Sequence, residues 1–194
     1  MENNVEFFDT SNQIDALKSI LTSDDVVKSI RENIDILLLI IPEIKVMIGF
    51  DHMHPHHHLD VWEHTLCALS FSENDFETRL AILLHDIGKP ASHTFDGEFR
   101  HYPGHERFSK EISQTIFDRL GLEKSFSEEL LNIIESHDEP LTDNDIANNR
   151  ELSNKIFKVQ ICDCLAHNPE KNEKRLRYIN QIKSIFNETE IQKQ

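Results

Sequence analysis

The stretch RLAILLHDIGKP, residues 79–90, carries an adjacent His85 and Asp86 at the end of a strongly apolar run. The apolar spacing predicts a buried helix, and Gly88 and Pro90 prevent that helix from continuing. A polar pair buried there without partners would cost roughly several kcal/mol. Because neutral imidazole and ionised carboxylate are ordinary ligands of divalent metals, both residues are candidate metal ligands. The alternative is a helix end whose His and Asp face solvent.

Two other apolar helical patterns carry a side chain of the same kind. His64 lies in VWEHTLCAL (61–69), which follows the predicted N-cap residue Asp60, and Asp163 lies in KIFKVQICDCLA (155–166). Both side chains fall on faces that should point inward. Three helices that each present a ligand-type side chain inward indicate a shared metal site.

Two further histidines are candidates for the same site. His105 stands at a predicted helix start in PGHERF, and His137 stands at a predicted helix end in ESHDEP. The alternative for each is a capping or dipole interaction, which is common for histidine at a helix terminus.

The whole chain reads as helical. Apolar residues recur at three- and four-residue intervals, and only five Gly and six Pro interrupt them, which predicts an all-α fold. We expect a flexible N-terminal arm over 1–12 and a single helical domain over 13–190, with seven or eight helices around the metal site. The predicted helices cover about 13–21, 23–41, 60–69, 75–86, 104–120, 126–136, 150–166 and 170–187, and Pro42 ends the second of them.

The apolar run IDILLLIIP (34–42) ends the second predicted helix. Because this last turn is apolar on all sides, we interpret it as buried in the domain centre. The alternative is that the helix over 26–41 docks another chain, as it would in a regulatory protein.

Charge and cysteine content limit the partners and the compartment. The 194 residues carry a formal net charge of −15, which opposes non-specific binding to nucleic acid. A metal or a local basic pocket must therefore attract any phosphate-bearing substrate. The polar N-terminus, the absence of a bilayer-length apolar run and three cysteines within apolar patterns favour a soluble cytoplasmic protein without membrane association. Cys162 and Cys164, which flank Asp163, are expected in the core.

In order and context, His64, the His85–Asp86 pair and Asp163 resemble the motif of the HD phosphohydrolase superfamily, whose central motif commonly reads HDIGK. The resemblance implies an all-α metal-dependent phosphomonoesterase or phosphodiesterase that acts on nucleotides. Dinuclear branches of the superfamily place further histidines between the HD pair and the last Asp, a role that His105 and His137 could fill.

A narrower resemblance covers about residues 22–137. IPEIKVMIGFDHMHPHHHLDVWEHTL, LLHDIGKP and GHE are similar to the HD region of bacterial CCA-adding tRNA nucleotidyltransferases. No Gly-Ser segment followed by paired catalytic Asp residues precedes this region, so the transferase domain is expected to be absent. The resemblance then implies only the HD module, which in some members hydrolyses 2′,3′-cyclic phosphates and removes phosphate from nucleotides.

The resemblance also implies a mechanism and its cofactors. One or two divalent ions, Fe, Mn, Ni, Co or Zn, with Mg also possible, would activate water at a phosphate ester. His64, His85, Asp86 and Asp163 would hold the first ion, and Asp86 would bridge to a second ion held by His105 and His137. Lys89 is expected to contact a phosphate oxygen or the leaving group, the alternative being a solvated lysine. The expected catalytic residues are therefore Asp86 and Lys89.

Two classes of function remain open at this point. The first is hydrolysis of a small phosphate ester, namely a nucleotide or a 2′,3′-cyclic phosphate. The second is a non-catalytic nucleotide- or tRNA-binding module, although the net charge of −15 disfavours tRNA. The five histidines of the loop at 52–58 are interpreted as a polar rim of the pocket rather than an independent metal site, and the charged final helix as a solvated face.

Overall fold

The computed structural model describes residues 9–191, and the prediction of an all-α fold is confirmed. A two-stranded antiparallel hairpin interrupts the helices, with β1 (Thr94–Phe95) paired to β2 (Arg100–His101). The helical segments, in chain order, are α1 (Thr10–Leu21), α2 (Val26–Glu32), α3 (Ile34–Ile40), α4 (Val61–Ser70), α5 (Phe76–Leu84), α6 (Lys89–Ser92), α7 (His105–Leu120), α8 (Lys124–Glu135), α9 (Asp143–Asn148), α10 (Arg150–Ala166) and α11 (Glu173–Ile191).

Aspartate side chains begin several of these helices. The predicted cap at Asp60 is confirmed, since its carboxylate accepts a hydrogen bond from Glu63 N at 2.8 Å. Asp75 caps α5 in the same way, at 2.8 Å from Thr78 N. The caps satisfy amide groups that have no partner inside the helix. They also fix where α4 and α5 start, and hence where His64 and His85 lie along the axes of these helices.

The second predicted helix is divided at Asn33. The Asn33 side chain donates to Ser29 O at 2.8 Å, and its backbone amide bonds to Ser29 O and Ile30 O. Asparagine competes with the helix for backbone groups in this way, so α2 ends and α3 starts on a new axis. With α2 and α3 counted as one interrupted helix and the short α6 and α9 set aside, residues 9–191 contain the upper number of helices expected, eight.

The prediction that α3 is buried on all sides is wrong. Leu37 and Ile40 are in the core, but Leu39 is 68% exposed and Ile36 is 37% exposed. The helix is therefore apolar on both faces but packed on only one.

Other boundaries also differ from the sequence-based expectation. Helix α1 starts at Thr10, within the span expected to be an arm, while residues 1–8 of that predicted arm lie outside the described residues. The chain becomes helical again at α6 because proline is tolerated in a first helical turn. The predicted helices leave the segment between 136 and 150 without a helix, but α9 forms there behind a Thr142 capping box.

The core is centred on α4, α5 and α10, with α7 and α8 packed beside them. Every residue of α5 from Thr78 to Leu84 is buried, and Cys162 and Cys164 are buried on α10 as predicted. Among residues 9–191 no helix combines the length and the apolar character needed to cross a bilayer.

Gly88 allows α7 to approach the end of α5. A Cβ atom on Gly88 would lie 2.4 Å from both His105 O and Ser109 N, and Gly88 N donates to Ser109 Oγ at 2.9 Å. Because no side chain fits at this point, the first turn of α7 can pack directly against the segment that follows Asp86. His105 opens that turn.

Candidate metal centre

Four buried side chains converge between α4, the end of α5, and α10. His64 Nε2 lies 2.8 Å from Asp163 Oδ1 and 3.7 Å from Asp86 Oδ2. His85 Nε2 lies 3.2 Å from Asp86 Oδ2 and 3.6 Å from Asp163 Oδ1. One ligand atom from each residue lies within 4.8 Å of all the others. The structure thus brings together the four residues that the sequence places on three separate helices.

A second group forms on the other oxygen of Asp86. His105 Nε2 is 3.4 Å and His137 Nε2 is 3.8 Å from Asp86 Oδ1, and the two Nε2 atoms are 3.2 Å apart. These three residues could also hold a cation. Asp86 therefore belongs to both groups, with Oδ2 facing one and Oδ1 facing the other.

Backbone carbonyls orient the imidazole rings. The Nδ1 atoms of His85 and His137 lie 2.6 Å from Ile82 O and Ile134 O, respectively. Nδ1 of His105 lies 3.1 Å from Tyr102 O, and Nδ1 of His64 lies 3.3 Å from Ala166 O. Since a carbonyl oxygen can only accept, each Nδ1 carries a proton, and Nε2 is the ring atom that faces the centre and would bind a metal ion once it is deprotonated.

Unsatisfied polar atoms show that the donor set fits a cation. His85 Nε2 and Asp86 Oδ1 are buried and make no hydrogen bond with the protein. Such groups carry a large desolvation cost unless an ion or a water satisfies them. Imidazole nitrogens with carboxylate oxygens are the ligands that Zn, Mn, Fe, Co and Ni accept, whereas Mg prefers oxygen.

The carboxylates create a strong demand for positive charge. Burial by itself would lower the pKa of His85, but the negative charges of Asp86 and Asp163 outweigh it and raise that pKa to about 10. Burial would raise the pKa of Asp86, yet His85 and Lys89 hold it well below its usual value. The centre therefore favours a proton or a metal ion at the Nε2 side of His85.

Lys89 is held beside Asp86. Its ammonium lies 2.7 Å from Asp86 Oδ2 and 3.3 Å from His52 Nε2, and the side chain is buried. The alternative of a solvated lysine is therefore wrong. His52 Nδ1 donates to Leu59 O at 2.8 Å, so its Nε2 can accept from the ammonium. The His52 ring thus positions Lys89.

Arg175 is a site residue that sequence analysis missed. It lies in α11 and contacts Asp163 Oδ2 at 3.1 Å and Asp138 Oδ1 at 2.8 Å. The final helix is therefore not only a solvated face. Arg175 occupies the second oxygen of Asp163 and leaves Oδ1 facing His64. No local pattern in the charged helix distinguishes Arg175 from its neighbours.

His167 is a second missed residue, and a signal for it was present. It follows Asp163 by four positions, a spacing that brings side chains together on a helix. Its Nδ1 bonds to Asp163 O at 2.8 Å, and its ring lies against His57 and His64. His167 is thus a neighbour of the metal centre.

The histidine loop forms one wall of the open cavity above the centre. His54, His56 and His57 line this cavity, whereas His52 is buried and stacks on His57 with the ring centroids 3.7 Å apart. Within residues 9–191 the two potential metal groups include none of the loop histidines. The arrangement supports the interpretation of the loop as a polar rim.

The cavity has a volume of about 470 Å³, and it does not share the acidic character of the whole chain. Its lining includes five Lys or Arg side chains and four Asp or Glu side chains, although the chain carries a net charge of −15. The cations that line it are Lys89, Arg100, Lys171, Lys174 and Arg175. The lining of the cavity is therefore close to neutral in formal charge, whereas the chain as a whole is strongly acidic.

Buried neutral histidines lead to a prediction about pH. Burial lowers the pKa of His137 and His167 to about 4 and that of His52 to about 2, and it also lowers the pKa of His57. In the unfolded chain these groups bind protons near pH 6.5, so below that pH the unfolded state holds more protons. We expect the free energy of unfolding, measured with chelator present, to fall between pH 6.5 and 4 by more than about 1.4 kcal/mol per pH unit.

Urea unfolding at half-unit pH intervals would check this prediction. His167→Asn should reduce this slope by up to about 1.4 kcal/mol per pH unit, which is the contribution of one proton. His93→Asn, which removes an exposed ring, controls for the loss of an imidazole. A flat profile over this range, or an opposite slope, would contradict neutral burial of these rings.

Comparison with known proteins gives a family match and two similar proteins. The HD domain family matches residues 55–176. A CC-adding tRNA nucleotidyltransferase of Thermus thermophilus is 34% identical over 114 residues, which cover 55% of this chain and 26% of that protein. An A-adding tRNA nucleotidyltransferase of Deinococcus radiodurans is 29% identical over 164 residues, which cover 77% of this chain and 38% of that protein. The matched part therefore spans well under half of each relative.

Proposed function

The chain belongs to the HD domain family, and from this premise we propose that it is a metal-dependent phosphohydrolase of nucleotides or 2′,3′-cyclic phosphates. The observation that carries the proposal is the position of Asp86. Its Oδ2 faces His64 and His85, and its Oδ1 faces His105 and His137. A carboxylate shared by two histidine-containing groups would allow two metal ions to bind side by side, as they do in two-metal hydrolases.

The residues of the two groups define the proposed ligands. His64, His85, Asp86 and Asp163 would hold one ion, while Asp86, His105 and His137 would hold another. Bound divalent ions would lower the pKa of water and neutralise charge on a phosphoryl group. Fe, Mn, Ni, Co and Zn suit this nitrogen-rich set better than Mg does.

Cationic side chains would bind and orient the substrate. Lys89, held by Asp86 and His52, presents its ammonium to the cavity and can donate to a phosphoryl oxygen. Arg175 keeps Asp163 in place and lines the same cavity. Together they bring positive charge to a centre that would otherwise repel an anion.

The relatives bear on the choice of substrate. Their names describe proteins that add nucleotides to tRNA, which supports a nucleotide or the end of an RNA as ligand. The net charge of −15 favours the smaller of these two. Nucleotide or tRNA binding without turnover is the competing outcome.

Metal analysis combined with a substrate screen tests the proposal. We expect one or two transition-metal ions per purified chain, and turnover of nucleoside monophosphates or 2′,3′-cyclic nucleotides that chelator removes and added metal restores. Micromolar nucleotide binding with no product at any metal concentration would contradict hydrolysis and favour a binding module.

Lys89→Met provides a narrower test of the substrate contact. We expect kcat to fall about 10²-fold, because a positioned charge at the phosphoryl group is lost, while the metal content stays at the wild-type value. Lys110→Met, which removes a surface lysine paired with Glu135, serves as the control. Wild-type kcat in Lys89→Met would exclude the proposed role of Lys89.

A further inference from the structure

A second cavity lies beside the metal centre, between the end of α8, α10 and α11. Its volume is about 280 Å³. Four residues line both this cavity and the larger one, namely His137, Asp138, Lys174 and Arg175. The two cavities are therefore neighbours with a common wall, and the guanidinium of Arg175 lies in that wall.

The walls of the second cavity offer apolar surface. Pro140, Cys164, Ile179 and the ring of Tyr178 line it. At about 280 Å³ it lies just below the roughly 300–1,000 Å³ of sites for drug-sized ligands. A space of this size and character suits one flat ring system rather than a whole cofactor.

The polar groups of the second cavity are already engaged. Gln160 Nε2 donates to Ser136 O and to Glu139 O, at 3.3 and 2.7 Å. Tyr178 OH donates to Gln160 Oε1 at 2.7 Å and accepts from Leu141 N at 2.8 Å. These bonds hold the walls in place but leave few groups that could form hydrogen bonds with the polar edge of a bound ring. Binding in this cavity should thus depend on shape and stacking.

The positive charges at the common wall indicate which chemical group the ligand carries outside the second cavity. Lys174 and Arg175 lie where the two cavities meet, and the metal centre with Lys89 lies on the far side of that wall. A ligand that spans both cavities would have an anionic group at the centre and an uncharged ring in the second cavity. Because Arg175 and Lys174 separate the two cavities, such a ligand needs a spacer between its anionic group and its ring, and the sugar of a nucleotide would supply one.

We propose that the second cavity binds the base of a nucleoside monophosphate whose phosphate lies at the metal centre. This inference rests on the proposed hydrolase function and specifies its substrate class. Because the polar wall atoms are engaged, purine and pyrimidine bases should both be accepted. Base stacking of this kind contributes about 10-fold or more to affinity.

Filling the cavity tests the proposal. Ile179→Trp places a ring where the base would bind, and Leu176→Trp, at an exposed position of the same helix that does not line the cavity, is the matched control. We expect Ile179→Trp to raise KM for adenosine and uridine 5′-monophosphates by about 10-fold or more. KM for ribose 5-phosphate, which has no base, should stay unchanged in both variants.

A binding measurement separates this inference from the proposed function. Saturation-transfer NMR with adenosine, which has no phosphate, should detect binding to chelated wild-type protein and to Leu176→Trp but not to Ile179→Trp. Ile179→Ala, which enlarges the cavity, should weaken adenosine binding as well and serves if the Trp variant does not fold. Absence of turnover on every ester would count against hydrolysis. The adenosine measurement would then test the base site without any need for turnover.

Two outcomes would overturn the base site. One is an equal rise in KM for ribose 5-phosphate and for the nucleotides in Ile179→Trp. The other is adenosine binding that persists in the folded Ile179→Trp variant. A preference of more than about 100-fold for one base over the other would overturn the base-tolerant form of the proposal.

Discussion

Asp86→Asn is expected to lower kcat/KM by about 10³-fold or more and to remove most of the bound metal. The carboxylate faces both candidate metal groups, so its replacement by an amide weakens both at once. Substitution of a residue that merely orients a ligand costs roughly 10–100-fold in metal affinity or activity, and loss of a shared ligand should exceed that. Elemental analysis and steady-state kinetics on the same preparation would measure both effects.

The Asp86 variant must also be shown to be folded. Asn is close in shape to Asp, but the buried ammonium of Lys89 loses its ion-pair partner, which costs about 3 kcal/mol. Circular dichroism and urea unfolding would report this loss. Asp118→Asn, on the outer part of α7, is the matched control. Wild-type metal content and turnover in a folded Asp86→Asn protein would refute the two-group centre.

Gly88→Ala is expected to lower the free energy of unfolding by about 2–3 kcal/mol. The added Cβ would lie 2.4 Å from His105 O and Ser109 N, which are backbone atoms that cannot move individually. The first turn of α7 must shift to accommodate it, and His105 shifts with that turn. Affinity for a metal ion at the group of Asp86, His105 and His137 should fall with stability. Urea unfolding with chelator, followed by metal titration, would measure the two effects.

Gly121→Ala separates crowding from backbone strain. Gly121 has φ 63° with no atom within 4 Å of an added Cβ, so its cost is strain alone, about 1 kcal/mol. Gly88 has φ −80°, which any residue adopts, so its cost is crowding alone. If Gly88→Ala were no more destabilising than Gly121→Ala, the close packing of α6 on α7 would not hold the site together.

The sequence predicted the helices and the metal-type residues because both depend on local information. His64, His85, Asp86 and Asp163 are each polar positions within an apolar repeat, and such a position needs a partner wherever the helix packs. The all-α fold follows from the same repeat and is confirmed. The position of His167 could also be predicted from the sequence, because side chains four residues apart, such as those of Asp163 and His167, are neighbours on any helix.

The tertiary structure decided which residues surround those ligands. Arg175 belongs to a charged helix, and only the packing of α11 against α10 brings its guanidinium to Asp163. The contact between His52 and Lys89 joins residues 37 positions apart. The second cavity exists only where α8, α10 and α11 meet. Helical periodicity repeats every few residues and identifies an inward face, but which faces approach each other depends on packing between distant segments, and no local pattern encodes it.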